Sequence, residues 1–286
     1  MESNLATRIA CAHRAARPLV MGVVNVTPDS FSDGGRFQSC ERAVAHALDL
    51  AAQGADILDI GGESTRPGAA PVAESAELDR VIPVIEAIRA VSAAAISIDT
   101  SKPVVMRAAV AAGADMINDV YALRAPGALA TAAELSVPVC LMHMQGEPRT
   151  MQQAPVYADV VADILAFFAA RISDCVRAGM MRERLVLDPG FGFGKTLAHN
   201  LELLAGLHRF AELGLPVLAG LSRKSMLGAI TGRERPDERV AASLAAALLA
   251  AERGAAIIRV HDVAETVDAL KVRQALRNSE TQGSLG

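Results

Sequence analysis

Short, nearly unbroken apolar runs recur along the chain, at Leu19–Val26, Ile57–Ile60, Ile96–Ile98, Met116–Ile117, Val137–Met142, Leu185–Leu187, Val217–Leu218 and Ile257–Val260. Runs this short, without polar alternation, suit strands covered on both faces, as in a parallel sheet. Between them lie longer stretches with helical periodicity: Ala43–Gln53, Glu77–Val91, Val104–Ala112, Tyr157–Ala178, Leu201–Leu213 and Arg239–Arg253. Three helices run out into a glycine just before a strand, in Gly54-Ala55-Asp56, Gly113-Ala114-Asp115 and Gly254-Ala255-Ala256. Glycine accepts the left-handed conformation that closes a helix. Eight strand–helix units with no linker-like segment predict the α/β class and a single eightfold β/α (TIM) barrel over residues 18–277. A doubly wound open sheet is the other arrangement this pattern permits. Residues 1–17 read as an irregular N-terminal extension and 278–286 as a polar, disordered tail.

Composition narrows the partners. With 28 basic against 32 acidic residues the formal charge is -4, which argues against a general nucleic-acid binder. An anionic substrate therefore needs positive charge gathered locally. The longest Ala/Leu run, Val240–Ala251, is shorter than the roughly 20 residues of a membrane span, so no membrane partner is expected. Arg14 and Arg17 precede the apolar run at Leu19, but no small-residue cleavage site follows, and a buried first strand explains the run better than a signal peptide. A transit peptide fits less well because Glu2 interrupts the basic pattern. Cys11, Cys40, Cys140 and Cys175 form no C-x-x-C pair and read as free thiols of a reducing, cytoplasmic compartment.

The polar residues fall where chemistry is expected. The apolar runs finish in Asn25-Val26-Thr27, Asp59-Ile60-Gly61-Gly62, Asp99-Thr100, Asn118-Asp119, His143, Asp188-Pro189-Gly190, Ser222-Arg223-Lys224 and Arg259-Val260-His261. A lone Asp or Asn after a strand often just caps the next helix. Eight such ends converging on the C-terminal face of a barrel point to a shared site instead. Asp99, Asn118 and Asp188 supply acceptors suited to a heterocycle edge rich in N–H donors, and Lys224 supplies a cation. Arg259 and His261, two apart on a strand, face one side and suit a phosphate. His143 fits packing as well as function. The stretch Gly190-Phe191-Gly192-Phe193-Gly194-Lys195-Thr196 is not a P-loop, because Pro189 stands where the first glycine belongs. Its glycines permit a tight turn close to a ligand, with Phe193 against an apolar ring. The polar loops Thr27–Gly35 and Gly61–Gly68 are candidate lids, the second bringing Arg66 to an anion.

Both loops, Asn25-Val26-Thr27-Pro28-Asp29-Ser30-Phe31-Ser32-Asp33-Gly34-Gly35 and Asp59-Ile60-Gly61-Gly62-Glu63-Ser64-Thr65-Arg66-Pro67-Gly68, resemble the two signature segments of the dihydropteroate synthase family. The likeness continues through Ser97–Thr100, Ile117–Asp119, Leu187–Lys195, Gly220–Ser225 and Arg259–His261, and covers about Pro18 to Lys271. It implies a homodimeric transferase of folate biosynthesis that condenses 6-hydroxymethyl-7,8-dihydropterin pyrophosphate with p-aminobenzoate, with Mg2+ on the pyrophosphate. By that likeness Asp99, Asn118, Asp188 and Lys224 hold the pterin and Asn25 touches the metal. Arg259, Val260 and His261 hold the pyrophosphate with Thr65 beside it, and Phe193, Ser222 and Pro67 frame p-aminobenzoate. Asp99, Asp188, Lys224 and Arg66 are the expected catalytic residues. A pterin-binding methyltransferase of the same superfamily would share the acceptors but need neither signature loop, and a catalytically silent pterin-binding barrel would need no leaving-group site.

Overall fold

The computed structural model describes residues 4–26, 35–65, 68–147, 150–152 and 155–283, with the backbone alone at 35–38 and 281–283. Thr27–Gly34, Arg66 and Pro67, on which the lid expectations rest, lie outside the described residues. Eight parallel strands close into a barrel in chain order: β1 (Leu19–Asn25), β2 (Ile57–Gly61), β3 (Ala95–Asp99), β4 (Met116–Asp119), β5 (Val139–Met142), β6 (Leu185–Asp188), β7 (Val217–Ala219) and β8 (Ala255–Val260). The open-sheet alternative is excluded, because β1 pairs with β8 from Leu19↔Ile257 to Gly22↔Val260.

The helices are α1 (Leu5–Ala15), α2 (Gly35–Ala52), α3 (Glu74–Val91), α4 (Pro103–Ala111), α5 (Ala128–Leu135), α6 (Val160–Arg177), α7 (Leu197–Ala205), α8 (Ser225–Thr231), α9 (Val240–Glu252) and α10 (Val263–Gly283). The periodic stretch Leu201–Leu213 divides into α7 and a 3-10 turn at Gly206. A side chain there would come within 2.8 Å of Val161 on α6, so only glycine lets these segments approach. α6 starts at Val160 because the Asp159 carboxylate accepts from Val161 N (3.0 Å) and Ala162 N (2.9 Å). None of the described helices is long and apolar enough to cross a membrane.

Both chain ends depart from the sequence expectation. The segment 1–17 is not irregular throughout: Asn4 caps α1 through Thr7 N, and Leu5, Ile9 and Ala12, spaced on one helical face, are buried. Toward the C-terminus, α10 continues to Gly283, into the stretch read as a disordered tail. The buried Arg273 of α10 ties the ends together, donating to Ala16 O and to Ala251 O, each at 3.0 Å.

The barrel interior is layered by the two-residue alternation of strand side chains. Its lower layer is apolar: Met21, Ile57, Ala95, Met116, Cys140, Val186, Leu218 and Ile257 form one buried cluster, plugged from below by Leu5 and Ile9 of α1. Two residues further along the same strands stand Asp59, Ser97, Asn118, Asp188, Gly220 and Arg259. The interior therefore changes from hydrocarbon to ionic within one side-chain layer, and this step is the floor of the site. The side chains at alternate positions pack outward against the helices in the main apolar core.

Ile9 is 2% exposed, so Ile9→Ala removes buried methylenes from the plug and should lower unfolding free energy by about 2–4 kcal/mol. Urea denaturation checks this, and the folded variant should keep its activity because the site is at the opposite mouth.

Candidate active site

Arg259 lies at the centre of the ionic layer. Its Nε donates to Asp59 Oδ2 at 2.6 Å and its Nη2 to Asp99 Oδ2 at 3.0 Å, joining β2 and β3 to β8 across the barrel. Burial opposes the cation, but the two carboxylates outweigh it and raise the Arg259 pKa above the ordinary arginine value. Gly220, just after β7, lies beside Arg259: a Cβ there would sit in ordinary contact, 3.8 Å from the Arg259 side chain. Asp59 also accepts from Asn118 Nδ2 at 3.1 Å, which fixes the amide and turns its oxygen into the available acceptor. Asp59 is fully buried, and its Oδ1 has no partner among the described residues.

Asp188 closes the ring from β6. One carboxylate oxygen accepts from Gly190 N at 2.8 Å. Burial raises its pKa, opposed chiefly by Lys224. Burial, reinforced by Asp59, also raises that of Asp99, and Arg259 works against it. Lys224 Nζ donates to Phe191 O and stands 4.7 Å from the centre of the Phe193 ring, a cation–π contact. Burial pulls the Lys224 pKa down to about 8 against the pull of Asp188. At the rim, Ser222 Oγ accepts from His261 N at 3.2 Å and lies 3.1 Å from His261 Nδ1. The hydroxyl keeps its own hydrogen for a second bond, and where it donates that hydrogen to Nδ1 a neutral His261 carries its proton on Nε2.

Acceptors facing a ring edge and donors at the rim describe a pocket for a polar heterocycle bearing an anionic group. A family model described as "Pterin binding enzyme" matches residues 21–261. The dihydropteroate synthase of Haemophilus influenzae is 54% identical over 92% of this chain and 95% of its own length. The chain belongs to the dihydropteroate synthase family. The dihydropteroate synthase of Xanthomonas albilineans solved with 4-aminobenzoic acid is 62% identical, with a TM-score of 0.87 over 91% of this chain and 93% of that one. The same enzyme solved in complex with 7,8-dihydropteroate gives 60% identity and a TM-score of 0.84 over 91% and 94%.

In this dihydropteroate synthase fold Asp99, Asn118, Asp188, Lys224, Arg259, His261, Ser222 and Phe193 gather at one barrel mouth, and Asn25 ends β1 in register with Gly61. Thr65 is half-buried at the edge of the described part of its loop. Two expectations are corrected. The Val260 side chain lies in the apolar core between barrel and helices, because the strand alternation that turns Arg259 inward turns its neighbour outward. Arg259 is not an open clamp, since two carboxylates already engage its guanidinium.

The sequence reading assigned no role to Asp59, Lys195 or Lys102. Asp59 was visible as a strand end, but its neighbours are Asn118 and Arg259, remote in sequence. Lys195, 3% exposed, places Nζ 3.1 Å from His143 Nδ1, 2.9 Å from Gly190 O and 3.0 Å from Phe193 O. It ties the glycine-rich loop to β5. Burial and the Lys195 charge lower His143 to about 2, so Nδ1 accepts and His143 is a neutral partner in this tie. Lys102, at the start of α4, bonds both Glu63 in the loop after β2 and the buried Glu77 of α3, anchoring the stem that leads to Thr65. Gly190 and Gly194 are dictated by space: a Cβ would stand 1.9 Å from His143 O at the first and 2.5 Å from Gln145 O at the second.

Burial lowers the Lys195 pKa to about 7, below the unfolded value of 10.5. Between these pH values the unfolded chain binds more protons at this group than the folded chain, so its contribution to stability grows as pH rises. Lys195→Met removes that slope. The stability gap between parent and variant should widen by more than about 1 kcal/mol from pH 7 to 10 in urea titrations; a pH-independent gap rejects the assignment.

Proposed function

We propose that this chain condenses 6-hydroxymethyl-7,8-dihydropterin pyrophosphate with p-aminobenzoate to give 7,8-dihydropteroate and pyrophosphate, and that pyrophosphate leaves ahead of attack. The observation that carries this reading is the ionic layer itself. Asp188 and the Asn118 amide oxygen, both buried, present acceptors to the N–H edge of a pterin. Asp99 and Asp188 then stabilise positive charge developing on the ring and methylene as the leaving group departs. Lys224, fixed beside Phe193 and Asp188, is placed for a ring nitrogen or carbonyl.

Departure ahead of attack suits a weak arylamine nucleophile, because no strong base is then required. The arylamine loses its proton once the C–N bond forms. His261 Nε2–H, the Arg259 charge and Thr65 receive the pyrophosphate, and Arg66 joins them from the loop. Val260 contributes there through its backbone. Phe193, Ser222 and Pro67 frame the p-aminobenzoate ring, whose carboxylate meets the N-terminal turn following Lys224. Excluding water from this mouth protects a cation that water would trap.

At the phosphate end the chain would need to add little to a magnesium ion carried in by the substrate. Asn25 offers one amide oxygen, and no group of three or more His, Cys, Asp or Glu among the described residues is placed to hold a metal. Magnesium retains water and binds readily through substrate phosphates. When bound, Mg2+ neutralises charge on the leaving pyrophosphate.

A homodimer is supported by the exposed Leu249 of α9 and Val272 and Leu276 of α10, on helices that pack together. Action in a reducing cytoplasm accords with its four free cysteines.

Pyrophosphate release should require p-aminobenzoate and Mg2+ together; release from either alone at the full rate, or none with both, rejects the reading. Arg66→Ala should lower turnover about tenfold or more while pterin pyrophosphate affinity, read by calorimetry, stays within about twofold. Equal losses in the two would remove Arg66 from the reaction step. Asn25→Ala should raise the Mg2+ concentration needed for half-maximal pyrophosphate binding in the same instrument.

A further inference from the structure

Arg223 stands between Ser222 and Lys224 and is the only one of the three not placed in the site. Its φ is +59°, a left-handed conformation that an arginine adopts at a cost of about 1 kcal/mol or more. That conformation is held on every side. Arg223 N donates to Ser243 Oγ at 2.9 Å, and Arg223 O accepts from Arg239 Nη1 at 2.9 Å. The Ser243 hydroxyl in turn donates to Arg239 O at 2.7 Å. The Arg223 side chain crosses to the loop after β8, where Nε meets Asp262 Oδ2 at 3.0 Å and Nη2 meets Asp262 Oδ1, a two-point pair. Asp262 is 9% exposed and is fixed from behind by Thr266, whose Oγ1 donates to Asp262 O at 2.6 Å.

The two members of this pair are chain neighbours of three site residues: Arg223 of Ser222 and Lys224, Asp262 of His261. Parallel strand pairing alone does not align these loops, because β7 ends at Ala219 and β8 at Val260, before either loop begins. We propose that Arg223 and Asp262 are positioning residues that lock the β7 and β8 loops in register. Through that lock the Ser222 hydroxyl stays on His261 Nδ1 and sets the His261 tautomer, while Lys224 stays over Phe193. The left-handed turn at Arg223 places residues 222 and 224 on the site and sends the side chain between them to Asp262. The catalytic consequence rests on the proposed condensation; the His261 tautomer does not.

The test is a pair of variants. Arg223→Gly keeps the left-handed turn, which glycine adopts freely, and removes the pair; Asp262→Asn keeps the shape and removes one charge. Both should lower kcat and raise the KM for p-aminobenzoate, each about tenfold, while the KM for pterin pyrophosphate stays within about twofold, because Asp99, Asn118 and Asp188 are held by other contacts. Imidazole 15N shifts provide a readout independent of turnover: the parent should show His261 protonated at Nε2, and both variants a mixture of tautomers. Arg223→Lys, which restores a single contact to Asp262, should recover part of each effect. Unchanged kinetics with an unchanged His261 spectrum overturn the proposal, as does a loss spread equally over both KM values. Should Arg223→Gly not fold, Asp262→Asn decides alone. If the parent itself shows no p-aminobenzoate-dependent release, the condensation fails while the spectra still decide the lock.

Discussion

Asp59, Asp99 and Asp188 come together inside a barrel whose next layer down is hydrocarbon, where like charges conflict: burial raises the pKa of Asp99 and of Asp188, and the Asp59 charge adds to the rise at Asp99. The Arg259 guanidinium resolves the conflict for two of them by taking Asp59 and Asp99 at once. A planar cation with several donors in one fork can do this; a lysine, a point charge on a flexible stem, would satisfy one carboxylate at a time. From this contact follow the orientation of Asn118 through Asp59 and the position of Asp99 at the mouth. Burial of such a network is no route to high stability. Its worth is a set of acceptors held in place by bonds within the protein.

The cations are graded outward from that centre. Arg259 is bound into the floor. Lys224 stands between Asp188, the Phe193 ring and the Phe191 carbonyl, with burial pulling its pKa toward neutrality. Beyond them, at the rim, His261 shares a hydrogen bond with Ser222. Two further ties, the hydrogen bond of Lys195 to His143 and the ion pairs of Lys102 with Glu63 and Glu77, lie beside the site and hold the loops that carry Phe193 and Thr65. A loop-built site gains precision when its loops are fastened to the scaffold, and here a buried lysine, a half-buried one and an arginine do the fastening.

Much of the arrangement was legible in the chain. Apolar runs of two to eight residues separated by amphipathic stretches point to a β/α barrel, because strands covered on both faces are largely hydrocarbon. The polar residues after those runs marked the mouth, because in this fold all strand ends of one sense meet there. The plug was not read from the chain: Asn4, Leu5, Ile9 and Ala12 carry a cap and a spaced apolar face, but a face of three residues is hard to tell from chance when its acceptor surface, the barrel bottom, is not yet in view.

By itself, then, the sequence determined the fold and the composition of the site: which residues are acceptors, which are cations, and which glycines let the backbone turn. Only the tertiary structure decided who partners whom. Arg259 reads in the chain as a phosphate ligand beside His261, and in the barrel it is first the counterion of Asp59, 200 residues away, and of Asp99. Val260 reads as part of the same motif and turns out to face the core. Lys195 and Arg223 look like motif punctuation and prove to be fasteners. Val260 follows the strand alternation once Arg259 is seen to face inward. For the three cations, local sequence fixes side-chain type, whereas a charged group shielded from water is governed by whatever carboxylate, ring nitrogen or carbonyl closure of the barrel brings within about 3 Å.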